Sequence, residues 1–350
     1  MATTVIEAAK AYSGAVVREP LVNSVYSLLV DPTKVRYSKY GKETLVREIK
    51  GGKASNYDKA KGFQSAGSAG SASWVSYTAP YDREMTFVAD AMDEYNAIVE
   101  GFELSGVAVA KQNMVAMGAE IDATTAAALY SAVPSANVFT STTMPIDKAN
   151  VFTTLTAIEA KIFNAGYTGD SFVFARATAY SNIVAALLSN NALANEQVLK
   201  YTPVGGMELE TRIIKYNNLV IVRVPDNRHY TEVTLLDGLS AGQEDGGYVA
   251  GTTAAYIDFL VVPAPAANLS IRHVVANLLV PMAYMEGLNT GSLNIELGGV
   301  NELTGNMVSF QNVGVNQKGD GFEYQTRLVY GPIAYNIWKK TLFAVTTAIV

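Results

Sequence analysis

"YDREMTFVADAMDEYN", residues 81–96, contains a change of period on which the reading of the whole chain turns. Met85 to Val88 is strand-like, with Tyr81 and Phe87 as aromatic members of an alternating run. After Asp90 the pattern becomes helical. The carboxylates Asp82, Glu84, Asp90, Asp93 and Glu94 flank this switch, where acids at a helix N-terminus meet the positive end of its dipole. That role accounts for them better than general acid–base work.

Downstream, residues from Asp93 to about Val133 include no proline and many good helix formers. Tyr95, Ile98, Phe102, Val109, Asn113 and Met117 recur at steps of three and four. A helix over about 94–133 at 1.5 Å per residue is a rod of roughly 60 Å. Gly101, Gly106 and Gly118 lie inside it, and at ~1 kcal/mol each such glycines require the helix to be held by packing. Pro134 ends the run. Asp147 then caps a second helix with Val151, Leu155, Ile158 and Ile162 on one face and Gly166 as its stop. "SFVFA" (171–175) reads as a strand, and "TAYSNIVAALLSN" as a helix. "RIIKY", "LVIVRVP" and "YIDFLVVP" read as further strands, with a glycine-rich loop, "DGLSAGQEDGGYVAG", between the last two. "LSIRHVVANLLV" (269–280) is expected to be a helix, and the tail alternates through two β-like runs around Gly331 and Pro332. The fold class is α+β.

Upstream, "KVRYSKYGKETLVREIKGG" (34–52) reads as a hairpin with Gly41 in its turn and too few apolar residues for a core. The tract "KGFQSAGSAGSASW" (61–74) follows and has the composition of a linker. The hairpin cannot fold alone, so the tract belongs to the return limb of one long excursion that leaves the body and comes back at residue 81 as extended structure. Residues 1–30 carry one apolar stripe, Leu21, Val25, Leu28 and Leu29, after Pro20: a short helix at the end of an arm.

Composition narrows the chemistry. The 350 residues include no cysteine and two histidines, so thiolate chemistry is excluded and imidazole is limited to His229 and His273. Neither is spaced from a carboxylate as a metal ligand would be, and no metal or cofactor is expected. "GLSAGQEDGG" lacks the Lys-Ser/Thr ending of a phosphate loop. The first residues lack the basic-then-apolar pattern of a secretory signal, and no apolar run reaches the ~18 residues of a membrane span. Production in the cytosol, without a membrane partner, is therefore expected. Charged residues are 17% against 49% apolar, low enough to suggest that much of the exterior is covered by neighbouring copies. The net charge of −6 is uneven: from Asp31 to Lys61 nine Lys or Arg stand against four acids, a local +5 that leaves −11 elsewhere. A basic arm lying on the acidic surface of a neighbour suits this better than wrapping nucleic acid.

The order of these pieces resembles the major capsid protein of tailed bacteriophages, the Hong Kong 97-type fold. "YDREMTFVADAMDEYN" is similar to that family's strand-to-helix junction, and "MVAMGAEIDATTAAALYSAV" to the far end of its long helix. "DKANVFTTLTAIEAKIFNAGYTGDSFVFARATAYSNIVAAL" looks like its entry into the axial domain. "VPDNRHY", "YIDFLVVPAPA" and "GDGFEYQTRLVYGPIAYNIWKK" resemble later segments. The resemblance implies an N-terminal arm over 1–30 and an extended β-hairpin loop over 31–82. It further implies a peripheral domain of 83–166 and 301–350 built on the spine helix, and an axial domain over 167–300. It implies self-assembly into the hexamers and pentamers of an icosahedral virion shell, put together in the host cytoplasm. Packaged double-stranded DNA would be enclosed without specific binding. Portal, a separate scaffold protein and decoration proteins are the implied partners, and no enzymatic activity is implied. On this reading Lys34, Arg36, Lys39, Lys42, Arg47, Lys50 and Lys53 meet acidic neighbours, and Trp74, Tyr77 and Tyr81 act as aromatic anchors between subunits. Two alternatives stand beside it: an encapsulin-like cellular compartment with the same fold, and a cytosolic enzyme with an unfamiliar site.

Overall fold

The computed structural model describes residues 23–30, 35–37, 43–51, 70–100, 105–189, 196–201, 209–236, 247–281, 293–295, 308–316 and 321–349. The first of these holds one turn of 3-10 helix, Val25–Leu29. Strands β1 (Val35–Tyr37) and β2 (Glu43–Lys50) pair antiparallel, and β2 pairs in turn with β3 (Ser71–Thr78), Lys50 opposite Ser71. The end of the small-residue tract is thus strand, not linker. Strand β4 (Tyr81–Ala89) leads into helix α1 (Ala91–Glu100), and helix α2 spans Ser105–Ser131. Residues 101–104, inside the expected single rod, lie outside the described residues.

The chain continues through β5 (Val138–Thr140), helix α3 (Val151–Asn164), β6 (Ser171–Arg176) and helix α4 (Ala177–Ser189). Strands β7 (Glu196–Tyr201), β8 (Leu209–Tyr216), β9 (Leu219–Val224), β10 (Val233–Leu235), β11 (Tyr248–Ala250) and β12 (Ala255–Pro263) come next. The last stretch holds β13 (Ala267–Pro281), β14 (Leu293–Ile295), β15 (Val308–Asn316), β16 (Phe322–Ala334) and β17 (Phe343–Ala348). Two sheets organise the body. A seven-stranded mixed sheet has the order β5-β17-β12-β6-β9-β8-β7, and a five-stranded sheet the order β14-β15-β13-β16-β4. The mixed α+β class read from the sequence is the observed one.

Residues 269–280 are not a helix. They form most of β13, which pairs antiparallel with β16 from Ala267↔Ala334 to Leu279↔Glu323 and parallel with β15 from His273↔Val308. A short apolar run is ambiguous by period alone. Here the β-branched Val274 and Val275 find partner strands on both sides and Ile271 on one, and those ladders override local helix propensity. In the tail, β16 runs unbroken through Gly331 and Pro332, and the second β run begins only at Phe343. Gly331 is required there because a Cβ would meet Pro80 Cδ at 2.6 Å. Sheet membership also divides the chain differently from a boundary at residue 300. β13 belongs with β4 and β16, whereas β17 lies beside β12 in the larger sheet.

The period of two sorts the larger sheet's side chains into two cores. Val173, Ala175, Ile221, Phe259 and Val261 face α3 and α4, whose Val151, Leu155, Ile158, Ile162, Tyr180 and Ile183 are buried against them. Phe174, Val222, Val224, Leu260 and Val262 face the other way, toward Tyr26, α2 and β13. Asp258 breaks this alternation as the extra residue of a bulge, and its buried carboxylate is held by Arg176 Nη2 at 2.8 Å and by the Thr347 hydroxyl.

Helix α2 has an unusual environment. Every residue from Met117 to Ala126 is buried. A helix enclosed on all faces needs small side chains where sheet and loops approach, which explains the run of alanines, threonines and one glycine. At its other end Gly106 lies so close to the Tyr324 ring that a Cβ would sit 1.9 Å from Cε2. Glu94 of α1 joins the two helices there. It is fully buried, accepts the Gly106 N–H at 2.9 Å and the Ser105 hydroxyl, and takes the Tyr324 hydroxyl at 2.9 Å. A carboxylate thus meets the positive end of α2, while Asp90 accepts the Met92 N–H at 2.8 Å at the start of α1.

Gly106→Ala is therefore expected to displace the Tyr324 ring and to destabilise the subunit by about 1–3 kcal/mol, the usual range for overpacking. Urea denaturation of unassembled subunits reads this as a lower midpoint with an unchanged slope.

Candidate assembly surfaces

Among the described residues the excursion is anchored to its own chain by one face. Along β2 the side chains alternate: Val46 and Glu48 are buried, Leu45, Arg47 and Ile49 exposed. Val46 packs with Ile333 and Tyr335, with Tyr77 and Trp338 at the margin. Glu48 accepts the Tyr77 hydroxyl at 2.6 Å and the Asn336 N–H at 3.3 Å. Burial first, and then the Glu48 carboxylate, push the Tyr77 phenol well above its usual range, so it stays a donor. Tyr77 also meets Tyr335 edge-on, with ring centroids 6.4 Å apart.

Among the described residues the opposite face is the exposed one. In the β2–β3 register Leu45 stands across from Ser76, Arg47 from Trp74 and Ile49 from Ala72. Ile49 is 62% exposed and Trp74 49%, with Leu45 also exposed. Large apolar side chains grouped around one arginine, on a three-stranded sheet, have the composition of a contact surface.

The residues expected at subunit contacts are thus divided by the structure. Arg47 and Trp74 lie together on the outward face. Tyr77 is turned inward, and Tyr81 is half-buried and stacked on Tyr330 at 5.1 Å. Both rings therefore have partners within the chain. Arg36 and Lys50 lie on β1 and β2, but their side chains are outside what the structure describes; Lys34, Lys39, Lys42 and Lys53 lie outside the described residues altogether. Composition alone missed Leu45 and Ile49. The alternation Leu45, Arg47, Ile49 against Val46 and Glu48 was the signal that could have found them.

A second polar cluster docks residues 23–30 onto the body. Asp122 of α2, fully buried, accepts the Ser24 hydroxyl at 2.8 Å and the Tyr26 N–H at 3.0 Å, and pairs with Arg228 Nη1 at 3.2 Å. Arg228 also donates to the Asn23 carbonyl at 3.1 Å. The buried Tyr26 ring stacks on Phe174 at 4.1 Å, and its oxygen lies 2.8 Å from His229 Nε2. Burial raises the Asp122 carboxyl, opposed by Arg228 and the surrounding donors. Its neighbour Glu120 is likewise raised by burial, opposed by Arg83 at 2.9 Å and Tyr330 at 3.0 Å. Burial holds the His229 imidazole down at about 3, with Arg176 acting in the same direction. Neutral imidazole can accept the Tyr26 O–H here, whereas the protonated ring offers a competing donor. His273 lies on β13, its side chain outside the description.

Another sequence candidate, Asp82, has a structural role. Asp82 receives Arg327 through two hydrogen bonds of 2.8 and 2.7 Å. Among the described residues no group of three or more His, Asp or Glu is placed to hold a metal ion, and no helix is long and apolar enough to cross a membrane.

No protein-family model matches the chain, and no curated protein matches it. Among solved structures it resembles phage capsids. A structure from Mycobacterium phage Ogopogo aligns with 93% of this chain and 92% of its own at 14% identity and a TM-score of 0.47. The capsid structure of cyanophage P-SCSP1u aligns with 90% of this chain and 86% of its own at 12% identity and a TM-score of 0.46. The virus-like particle from Pyrococcus furiosus covers 96% of this chain and 98% of its own at 8% identity and a TM-score of 0.46.

His229 makes stability depend on pH with a definite sign. Its folded pKa of about 3 lies below the ordinary 6.5, so the unfolded chain binds the proton first. The contribution is complete above 6.5 and is lost progressively as pH falls toward 3, at up to about 1.4 kcal/mol per unit. Asp122 and Glu120, whose pKa values are raised, act in the opposite direction in the carboxylate range. Denaturation measured between about pH 6.5 and 5 should therefore show falling stability. The slope should be shallower in His229→Asn.

Proposed function

We propose that this protein is a shell-forming subunit, the major capsid protein of a tailed double-stranded DNA phage, whose copies assemble as hexamers and pentamers into an icosahedral head. The observation that carries this reading is the two-faced excursion. Val46, Glu48 and Tyr77 fix its base to the chain's own Ile333–Asn336 segment. Leu45, Ile49 and Trp74 are then held outward and exposed, on the face that a second copy would cover. A mobile arm would lose more entropy on docking; a pre-set hairpin binds with less. The surplus of positive charge over 31–61, with Lys34, Arg36, Lys39, Lys42, Arg47, Lys50 and Lys53, gives the excursion a sign opposite to the acidic remainder of the chain. That difference favours contact between copies over contact with phosphate. In the shell, residues 1–30 form the arm and 31–82 the loop. The five-stranded sheet with α1 and α2 forms the peripheral part, and the seven-stranded sheet with α3 and α4 the axial part. The virion is the protein's place, and portal, scaffold and decoration proteins are its further partners.

Purified protein should form closed particles in negative-stain images, and particles that enclose double-stranded DNA in the infected cell separate a phage head from a cellular compartment. A subunit that remains monomeric at high concentration overturns the reading. The triple change Leu45→Ser, Ile49→Ser and Trp74→Ser alters only exposed side chains. It is expected to leave the subunit's denaturation midpoint nearly unchanged while abolishing particles, and normal particles from this variant would remove the outer face from the account.

A further inference from the structure

We propose that residues 23–30 are an acid-released strap: protonation of His229 undoes their docking on the body while both large sheets stay folded. The inference goes beyond the shell reading above and does not depend on it. Ser24, Tyr26, Ser27, Leu28 and Leu29 are buried, with Asn23, Val25 and Val30 half-buried at the margin. The turn of 3-10 helix that they form lies against α2, β9 and β13. It belongs to no strand pair, so it can lift away without breaking a ladder. What holds it is the burial of Tyr26, Leu28 and Leu29 and the polar contacts around Asp122.

The seat of Tyr26 is where a proton acts. Its ring stacks on Phe174 and its hydroxyl ends 2.8 Å from His229 Nε2, on an imidazole that is fully buried. The neutral ring accepts the phenol's O–H. A proton on Nε2 turns that atom into a donor and places a cation where the strap shuts out water. The charges around the ring do not offset it. Arg176 of β6 acts against a further cation, and although Asp226 acts in its favour, that carboxylate is already engaged by the Thr178 hydroxyl at 2.7 Å. Asp258 of β12 is taken up by Arg176 at 2.8 Å, and Asp122 of α2 by Arg228 at 3.2 Å.

Lifting Tyr26 gives Nε2 to water. The open strap therefore binds the proton near the ordinary 6.5, whereas the closed one resists it down to about 3. Acid favours the open form, by at most about tenfold for each pH unit below that ordinary value. Asp122 acts in the opposite direction. Burial raises its carboxyl in the closed form, so the closed strap keeps that proton longer, and acid in the carboxylate range favours closure through this group. The window for release is thus the interval from 6.5 down to about pH 5, where His229 titrates on opening and Asp122 is still ionised.

The chain has no cysteine, and the buried Ser27 hydroxyl has no hydrogen-bond partner among the described residues, so Ser27→Cys places a single thiol under the strap at little cost. Its reaction with dithiodipyridine is followed in unassembled full-length subunits and divided by the rate for glutathione at the same pH. The ratio is expected to be level above pH 6.5 and to climb by up to about tenfold per unit toward pH 5. Adding His229→Asn should remove the slope. Ile183→Cys, at a fully buried position of α4, reports opening of the body and should stay unreactive over the same range. A level ratio for Ser27→Cys, a slope that survives His229→Asn, or Ile183→Cys reacting in step with Ser27→Cys overturns the inference. If Ser27→Cys fails to fold, amide exchange in the unaltered chain decides. Exchange at the Tyr26 N–H, held by Asp122 at 3.0 Å, should accelerate beyond its intrinsic pH dependence while that at Val261 of β12 does not; equal behaviour at the two sites counts against the strap. These readings are made on subunits, so particles that never form overturn the shell reading and leave this one standing.

Discussion

Glu120 and Asp122 are two carboxylates on the stretch of α2 that has no exposed face, and the remaining structure is arranged around the need to pair them. An unpaired carboxylate in such a place costs several kcal/mol. Glu120 is answered by Arg83 from β4 and Tyr330 from β16, and Asp122 by Arg228, Ser24 and the Tyr26 N–H. Four chain segments distant in sequence are thereby tied to a single turn of helix. Apolar residues of the same volume would stabilise the subunit as well or better, because buried ion pairs gain little over their desolvation cost. What the charges supply is register. Sliding α2 by one residue would expose neither acid to water and would strand both from their partners.

The same demand explains why the sequence was informative in some places and not in others. Helix α3 was legible because one face is buried and the other wet, so Val151, Leu155, Ile158 and Ile162 stand out at helical spacing. The second half of α2 carries almost no such contrast, since all its faces are buried, and was read instead from the absence of proline and the abundance of alanine. Strand β13 was misread because it too is enclosed, and nothing local distinguishes a strand paired on both sides from a buried helix. The partners that decide the matter, β15 and β16, lie some thirty to sixty residues further on.

The excursion was legible as a hairpin with a return limb, because alternation and turn glycines are local signals. Its division of labour was not. Tyr77 and Trp74 look equivalent as aromatic residues three apart on one strand, yet three positions on a strand place side chains on opposite faces. One is bound to Glu48 and the other points outward. Likewise, Glu94 could be assigned to a helix N-terminus from its position, but it serves the start of α2 rather than its own helix.

These two features, a body locked by buried charge pairs and an excursion seated on it by one face, bear on each other. An exposed apolar surface is useful for assembly only if its position relative to the body is reproducible from copy to copy. Here the seat of the excursion and the β4–α1 junction are joined by a single strand, β16, whose middle is fixed to α2 through Tyr330 and Glu120 and whose end is fixed to α1 through Tyr324 and Glu94. The place of the excursion relative to the body is thereby set by the strand's length, so its outer face is carried at the same position in every copy. In a shell, copies that sat in slightly different surroundings could then vary the angle of contact while each presented the same surface, and the rigid seat is what would make that variation tolerable.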